Sequence, residues 1–398
     1  MSHANKDQPS PEWIASLRRR FPCESEIDRV LTRKMQRRAG PPYTSVSLET
    51  LVEGTRALVR SQIGDDFEIT QARWLSGGAS KLQMAFTLQW SPPGVGRTAT
   101  PMVLRMEPAE SNVESSRLRE FQIIKALEGY LPVPPTYWAD PEGVYLPYPA
   151  IIYGFAEGVA KPTASDNRVS GIGTFIPPAL RQPLGSQFVE HLARIHTFDW
   201  SKADLSAFDK PALGTQAIEW KLNHWERVWE EDVNEDIPLM RLAMAWLRAN
   251  MPATDHVSVI HGDYRTGNFL FTEHDNQIST WLDWEMSYLG DRHEDLVWST
   301  KISFGHMAED GKTSLVGGFM PREEFFAAYE KASGLKVIAA TYRYYEIFIN
   351  FKCAVICLAT GCRAPRNGKT HQDILVAWLV GIGYLLVDEL RTQLEDVL

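Results

Sequence analysis

Two short stretches gather the residue types that reaction chemistry needs. Val259-Ile260-His261-Gly262-Asp263-Tyr264-Arg265-Thr266-Gly267-Asn268 runs an apolar segment into an acid, with an amide five positions later. Trp281-Leu282-Asp283-Trp284-Glu285 ends a second apolar segment in another acid. This set suits phosphoryl transfer, which leaves the protein little covalent work and asks for positioning and charge neutralisation. One carboxylate must stand at the acceptor hydroxyl. An amide oxygen and a second carboxylate must hold Mg2+ against the phosphates. Asp263 suits the first role, and Asn268 and Asp283 suit the metal roles. Asp263 alone would read equally as a loop aspartate capping a turn. Asn268 and Asp283 at these spacings favour the catalytic reading. Glu285 reads either as a metal ligand through water or as a polar group at the strand exit. Arg265, within the first stretch, is a further candidate. His261 reads as a residue that shapes the loop, and Asp295 as the cap of a helix containing Leu296, Val297 and Trp298.

The spacing H-x-D-x-x-x-x-N, carried by His261, Asp263 and Asn268, resembles the catalytic loop of kinase-fold enzymes. Gly262 stands where protein kinases carry arginine, and Asp283 is followed by Trp284-Glu285 rather than Phe-Gly. HGD-x-x-x-x-N, then LDWE, then Gly290-Asp291-Arg292-His293-Glu294-Asp295-Leu296 resembles the aminoglycoside phosphotransferase family, a group of small-molecule kinases. The resemblance runs from about Phe67 to the C-terminal helices, and the first 66 residues carry none of it. It implies an α+β, protein-kinase-like two-lobed fold, with a small antiparallel-sheet N-lobe and a mainly helical C-lobe. The expected division is an N-terminal helical extension over 1–66, a nucleotide-binding N-lobe over 67–156, and a C-lobe over 157–398. The last would hold the catalytic loop, metal site and acceptor pocket.

Ser76-Gly77-Gly78-Ala79-Ser80 lies between two strand-like segments. Glycines permit close backbone approach to phosphate oxygens, and amide N–H groups bind them. Alone, the stretch would equally be a hairpin turn. Its place before the HGD motif matches the family's S-G-G-x-S phosphate loop, which implies nucleotide contacts at Ser76, Gly77, Gly78 and Ser80. The resemblance next implies a cation on the third strand, paired with a helix glutamate. Met102-Val103-Leu104-Arg105 puts Arg105 in the usual lysine position, and Glu120 is the implied partner. A guanidinium is planar and larger than an ammonium, yet it holds phosphate oxygens by forked hydrogen bonds. V-L-R is similar to the branch that includes kinase domains fused to some acyl-CoA dehydrogenases. Ile152 to Gly158 occupies the place of the inter-lobe hinge, where the backbone near Tyr153 to Phe155 would receive the base of ATP or GTP.

Two regions are candidates for the acceptor end. One is the long loop over 161–185, rich in Gly and Pro. The other is the helical stretch 220–229, where Trp225 and Trp229 lie one turn apart. They read as a wall for a flat or greasy acceptor, or as a core stripe. Glu230-Glu231-Asp232 reads as a solvated helix face, which argues against a polycationic antibiotic substrate. The resemblance to the acyl-CoA-linked branch implies a hydroxy acid or hydroxyacyl-CoA as acceptor.

These residues need a scaffold, and the rest of the chain supplies one. Period-2 segments over 67–74, 82–90 and 101–105, with shorter ones over 136–139 and 150–153, predict strands. Helices are expected over 47–63 and 115–128, and a loop from 158 to 185. Residues 1–40 combine Arg18, Arg19, Arg20, Arg33, Lys34, Arg37 and Arg38 with apolar positions at helical spacing. They predict two amphipathic helices with a solvated basic face, set against the small lobe or at a homodimer contact. Hydrophobic residues at 44% and charged residues at 23% exclude a disordered or fibrous chain of 398 residues. A net charge of −9 argues against a dedicated nucleic-acid binder. The polar N-terminus lacks the apolar stretch of a signal peptide. The apolar run 374–387 is shorter than the roughly 20 residues of a membrane span and predicts a buried helix. Cys23, Cys353, Cys357 and Cys362 make no disulfide framework, and Cys353 and Cys357 read as buried thiols on one helix face.

The expectation is a cytoplasmic, Mg2+- and ATP-dependent phosphotransferase acting on a small-molecule hydroxyl, with no nucleic-acid or membrane partner. The alternative is a kinase fold that holds a nucleotide without transfer, a reading supported only by Arg105. Gly262, and the lack of an A-P-E segment soon after Asp283, argue against protein phosphorylation.

Overall fold

The computed structural model describes residues 3–75, 81–163, 173–368 and 373–398. Five strands form an antiparallel sheet in the order β1-β2-β3-β5-β4. They are β1 (Glu68–Trp74), β2 (Leu82–Trp90), β3 (Thr98–Met106), β4 (Thr136–Asp140) and β5 (Ala150–Gly154). Side chains alternate between the faces of a strand. Met84, Phe86 and Leu88 of β2, Met102 and Leu104 of β3, and Ile152 of β5 therefore share one buried face. Helix α4 (Leu48–Ile63) covers that face with Leu51, Leu58 and Val59. Its start is capped by Ser47, whose Oγ accepts from the Thr50 N–H at 3.0 Å. The opposite face carries Val103, Ile151 and Tyr153 and meets Phe121 of α5 (Arg117–Leu127). Arg105, in phase with Val103, turns to the α5 side.

Three further helices precede α4: α1 (His3–Asp7), α2 (Pro11–Arg20) and α3 (Ser25–Arg38). The larger lobe is mainly helical, with α6 (Pro178–His196), α7 (Gln216–Asp232), α8 (Pro238–Ala249), α9 (His293–Thr300), α10 (Arg322–Ser333), α11 (Ala339–Ala354), α12 (Gly361–Arg366) and α13 (Asp373–Glu395). Two short antiparallel pairs interrupt it, β6 (Ser258–Ile260) with β9 (Tyr288–Gly290) and β7 (Phe269–Thr272) with β8 (Gln277–Trp281), as does a small sheet of β10 (His306–Met307), β11 (Ser314–Val316) and β12 (Met320–Pro321). Tyr264 stacks on Trp281 at 4.0 Å between ring centroids, which anchors the loop after β6 in an aromatic core. The bilobed α+β architecture is the one the sequence implies.

Four local expectations are corrected. The loop expected up to residue 185 gives way to α6 at Pro178, because a proline in the first turn needs no donor there. Residues 164–172 lie outside the described residues. The basic N-terminal face is not wholly solvated. Lys34 and Arg38 are buried, and so are Glu231 and Asp232, which were expected on a solvated face. Lys34 Nζ lies 2.8 Å from Glu231 and 3.0 Å from Asp232, and Arg38 Nη2 lies 2.7 Å from Asp232 and 2.5 Å from Glu110. Buried charges require partners, and here the two runs neutralise each other across about 200 residues of sequence. Finally, α13 is only partly buried, with Trp378 49% and Leu385 69% exposed. The helical stretch Ala339–Arg366 is long and apolar enough to cross a membrane, but 89% of its apolar window is buried inside the fold.

Candidate active site

Asp263 stands on the turn that leaves β6. Gly262 makes that turn with φ +83°, and a Cβ there would fall 2.8 Å from Met286, so only glycine fits. The turn is held from below by Asp295, which accepts from the N–H groups of His261 at 2.7 Å and Gly262 at 2.8 Å. His196 approaches the same carboxylate at 3.3 Å through Nε2, and its Nδ1 lies 2.7 Å from the Tyr329 hydroxyl. Asp295 is therefore structural, but it braces the loop rather than capping α9. Burial works against its charge, but the bond and charge of His196 together with those of His261 outweigh burial and hold it below the usual carboxylate range. His261 shapes the loop as expected. Its Nδ1 accepts from the Asp263 N–H at 3.2 Å, and its Nε2 meets the Leu282 carbonyl at 3.1 Å. Burial pushes its imidazole below the ordinary value, toward the neutral form.

Both carboxylate oxygens of Asp263 are oriented. Oδ1 accepts from Trp298 Nε1 at 2.6 Å and from Arg265 Nε at 2.9 Å. Oδ2 accepts from Asn268 Nδ2 at 2.6 Å, and the same amide nitrogen donates to the Asp263 carbonyl at 2.8 Å. The amide oxygen of Asn268 takes no part in these bonds. The Leu282 N–H donates to the Asn268 carbonyl at 2.8 Å and ties the Asp263 loop to the Asp283 loop. Asp283 has φ +66°, a left-handed turn that ends its strand. Trp298 was not anticipated as a partner of Asp263. An indole N–H in a helix leaves no spacing by which sequence could find it.

Beneath Asp283 lies a dense charge cluster. Arg105 lies 3.3 Å from Glu120, the partner the sequence implied, and also pairs with Asp283 and, at 3.3 Å, with Glu285. Burial opposes its charge, but these three carboxylates outweigh burial and keep the guanidinium protonated. Lys81 reaches Glu107 at 2.8 Å and Glu285 at 3.1 Å. Arg117 reaches Glu107 at 2.8 Å and Glu285 at 3.2 Å, and pairs with Glu120. Glu285 thus meets three cations, which outweigh its burial and hold it far below the usual carboxylate range. Sequence reasoning missed Lys81 and Arg117. The one available signal was that Lys81 directly follows the Ser76-to-Ser80 stretch, and that stretch itself lies outside the described residues.

Tyr153 lies in β5 and is buried, whereas Phe155 is exposed and its N–H donates to the Pro101 carbonyl at 3.0 Å. Trp225 and Trp229 are buried core residues of α7 and do not line the cavity beside Asp263. Nor do the described residues of the 161–185 stretch.

Among the described residues, no three His, Cys, Asp or Glu side chains converge at metal-ligand spacing. A bound Mg2+ would therefore rest on few protein ligands, as Mg2+ commonly does, with water and phosphate completing its shell. The oxygen donors of Asn268 and Asp283 fit that demand. Arg105 competes for the Asp283 carboxylate in this arrangement.

Acyl-CoA dehydrogenase family member 11 of Homo sapiens is 26% identical over 281 residues, covering 68% of this chain and 34% of that protein. The chain thus spans about a third of the length of this curated relative. Among solved structures, a Plasmodium vivax ethanolamine kinase superposes with a TM-score of 0.54 at 13% identity, covering 93% of this chain and 99% of the other. A macrolide 2'-phosphotransferase type I gives 0.52 at 18% identity, covering 84% and 97%. At these identities the likeness concerns the fold alone. The family described as the phosphotransferase enzyme family (APH) matches residues 84–344, more than half of the sequence, and the chain belongs to that family.

Proposed function

We propose that the chain is a cytoplasmic kinase of a small-molecule hydroxyl, using ATP or GTP with Mg2+. The observation that carries this reading is the Asp263 carboxylate, oriented at both oxygens and lining a cavity of about 480 Å3. In this reading Asp263 accepts the proton of the acceptor hydroxyl. The hydroxyl oxygen forms its bond to the γ-phosphorus as the bond to the β,γ-bridging oxygen breaks, and the nucleoside diphosphate leaves. Asp263 then returns its proton to solvent. Asn268 and Asp283 would hold Mg2+, which when bound neutralises phosphate charge. Arg105, oriented by Glu120, would contact the α- and β-phosphates, with Ser76, Gly77, Gly78 and Ser80 over them. The backbone from Tyr153 to Phe155 would receive the base. Glu285, engaged by three cations, serves here to position Lys81, Arg105 and Arg117. The nucleotide lobe is assigned to 67–156, with α4 packed on its sheet, and the acceptor lobe to 157–398.

A hydroxy acid or hydroxyacyl-CoA is the favoured acceptor class over an aminoglycoside. Similarity to a relative named for acyl-CoA dehydrogenation supports this. So does the acidic run of α7, since Glu231 and Asp232 are consumed by Lys34 and Arg38 and cannot receive a polycation. The test is nucleotide consumption with Mg2+ and pooled acceptors, wild type beside Asp263→Ala. Pool-dependent turnover lost in the variant supports the reading. Full turnover in a folded variant overturns it.

The Arg105–Asp283 pair favours a second reading, a kinase fold that binds nucleotide without transfer. Tight nucleotide binding with no transfer to any acceptor would support it.

A further inference from the structure

The cavity at Asp263 measures about 480 Å3, within the range of about 300–1,000 Å3 usual for small-molecule sites. Trp298 and Phe304 line it, 5.1 Å apart between ring centroids. Ile356 lines it from the π-helical segment Val355–Thr360, a helix irregularity frequent at functional sites. Trp378, Ile382 and Leu385 of α13 also line it. Leu385 and Trp378 remain exposed at the entrance, an apolar rim that α13 leaves unburied. The cavity's charged groups pair with one another: Arg265 with Asp263 at 2.9 Å, and Lys301 with Glu389 at 3.6 Å. Two positive and two negative groups leave no net charge to draw in a polycation.

We propose that this cavity is the acceptor site and that it takes an alcohol borne on a medium-length hydrocarbon body. The hydroxyl sits at Asp263, and the hydrocarbon lies between α13 and the π-helical segment. The placement of the hydroxyl rests on the kinase reading. The apolar body rests on the lining alone. The wall that selects the acceptor is thus α13 rather than the described residues of the 161–185 stretch or the Trp225–Trp229 pair.

The test is calorimetric binding of 3-hydroxydecanoate and 3-hydroxybutyrate, which share a head group and differ only in chain length. The longer acid should bind at least 100-fold more tightly. Leu385→Asp, at an exposed position that tolerates charge, should weaken the longer acid at least tenfold, and Ile382→Asp should do the same. Both variants should leave Mg-nucleotide affinity and the circular dichroism spectrum unchanged. Equal affinity for the two acids, or variants without effect on the longer one, would overturn the proposal. Chain-length-dependent binding without phosphoryl transfer to any acceptor would overturn the kinase reading and leave the apolar site standing. Turnover of acceptors whose affinity ignores both chain length and Leu385 would do the reverse.

Discussion

The indole N–H of Trp298 donates to Oδ1 of Asp263 at 2.6 Å. Trp298 stands on α9, the helix whose Asp295 also accepts the His261 and Gly262 amides. One short helix therefore fixes both the backbone of the loop and the carboxylate at its tip. Trp298→Phe keeps an aromatic ring beside Phe304 but removes the donor that fixes the Asp263 carboxylate. We predict a fall in kcat of about tenfold. The nucleotide KM should change little. An unaltered kcat would remove Trp298 from the set that positions Asp263.

Asp263→Ala removes the group proposed to take the hydroxyl proton. General-base contributions run to about 10²–10⁴-fold, so kcat should fall by at least about 100-fold. The fold should survive, because Asp263 is near the surface of the cavity and Asp295 still braces the loop. Thermal unfolding checks the fold and a coupled nucleotide assay checks the rate.

Arg105 bridges Glu120, Asp283 and Glu285, and a lysine ammonium, a compact point charge, lacks the span of the planar guanidinium fork. Arg105→Met would leave buried Glu120 short of a cation. Breaking a buried pair in this way costs about 3–5 kcal/mol, so the variant should lose a comparable amount of stability in urea titration. Arg105→Lys should lose less, since it keeps the charge, and should mainly raise the nucleotide KM. Equal stability of Arg105→Met and wild type would show that Lys81 and Arg117 alone neutralise the cluster.

Much of this scaffold was legible in the sequence, because strands and caps write themselves locally. Alternating apolar residues marked β2, and Ser47 marked the start of α4. The Asp263–Asn268 loop was legible because its parts are close neighbours in the chain. Three features were hidden because their partners are joined only by folding. Lys34 and Arg38 read as surface charge until Glu110 and Asp232 cover them. Lys81 and Arg117 converge on Glu285 from positions about 170–200 residues away. The apolar run of α13 suggested burial, yet one side of it lines a cavity instead. Hydrophobicity tells a side chain to leave water, without telling it whether protein or ligand provides the shelter.

His191 offers a pH test of the large-lobe core. Its Nδ1 accepts from the indole N–H of Trp281 at 3.0 Å, and protonation would break that bond. Burial, helped by the nearby Arg194 charge, pushes its pKa down to about 4. The unfolded chain, with an imidazole near about 6.5, then binds more protons than the folded one between these two values. The stability from neutral His191 is therefore fully present above about pH 6.5 and is lost as pH falls toward 4. At about 1.4 kcal/mol per pH unit, the loss from pH 7 to pH 5 should approach about 2 kcal/mol. His191→Gln keeps an acceptor for the indole and cannot titrate. Urea unfolding at the two pH values should show a smaller difference for the variant than for wild type. The same pH dependence in both proteins would assign the acid sensitivity to other groups, with the His196–Asp295 pair beneath the Asp263 turn the next to test.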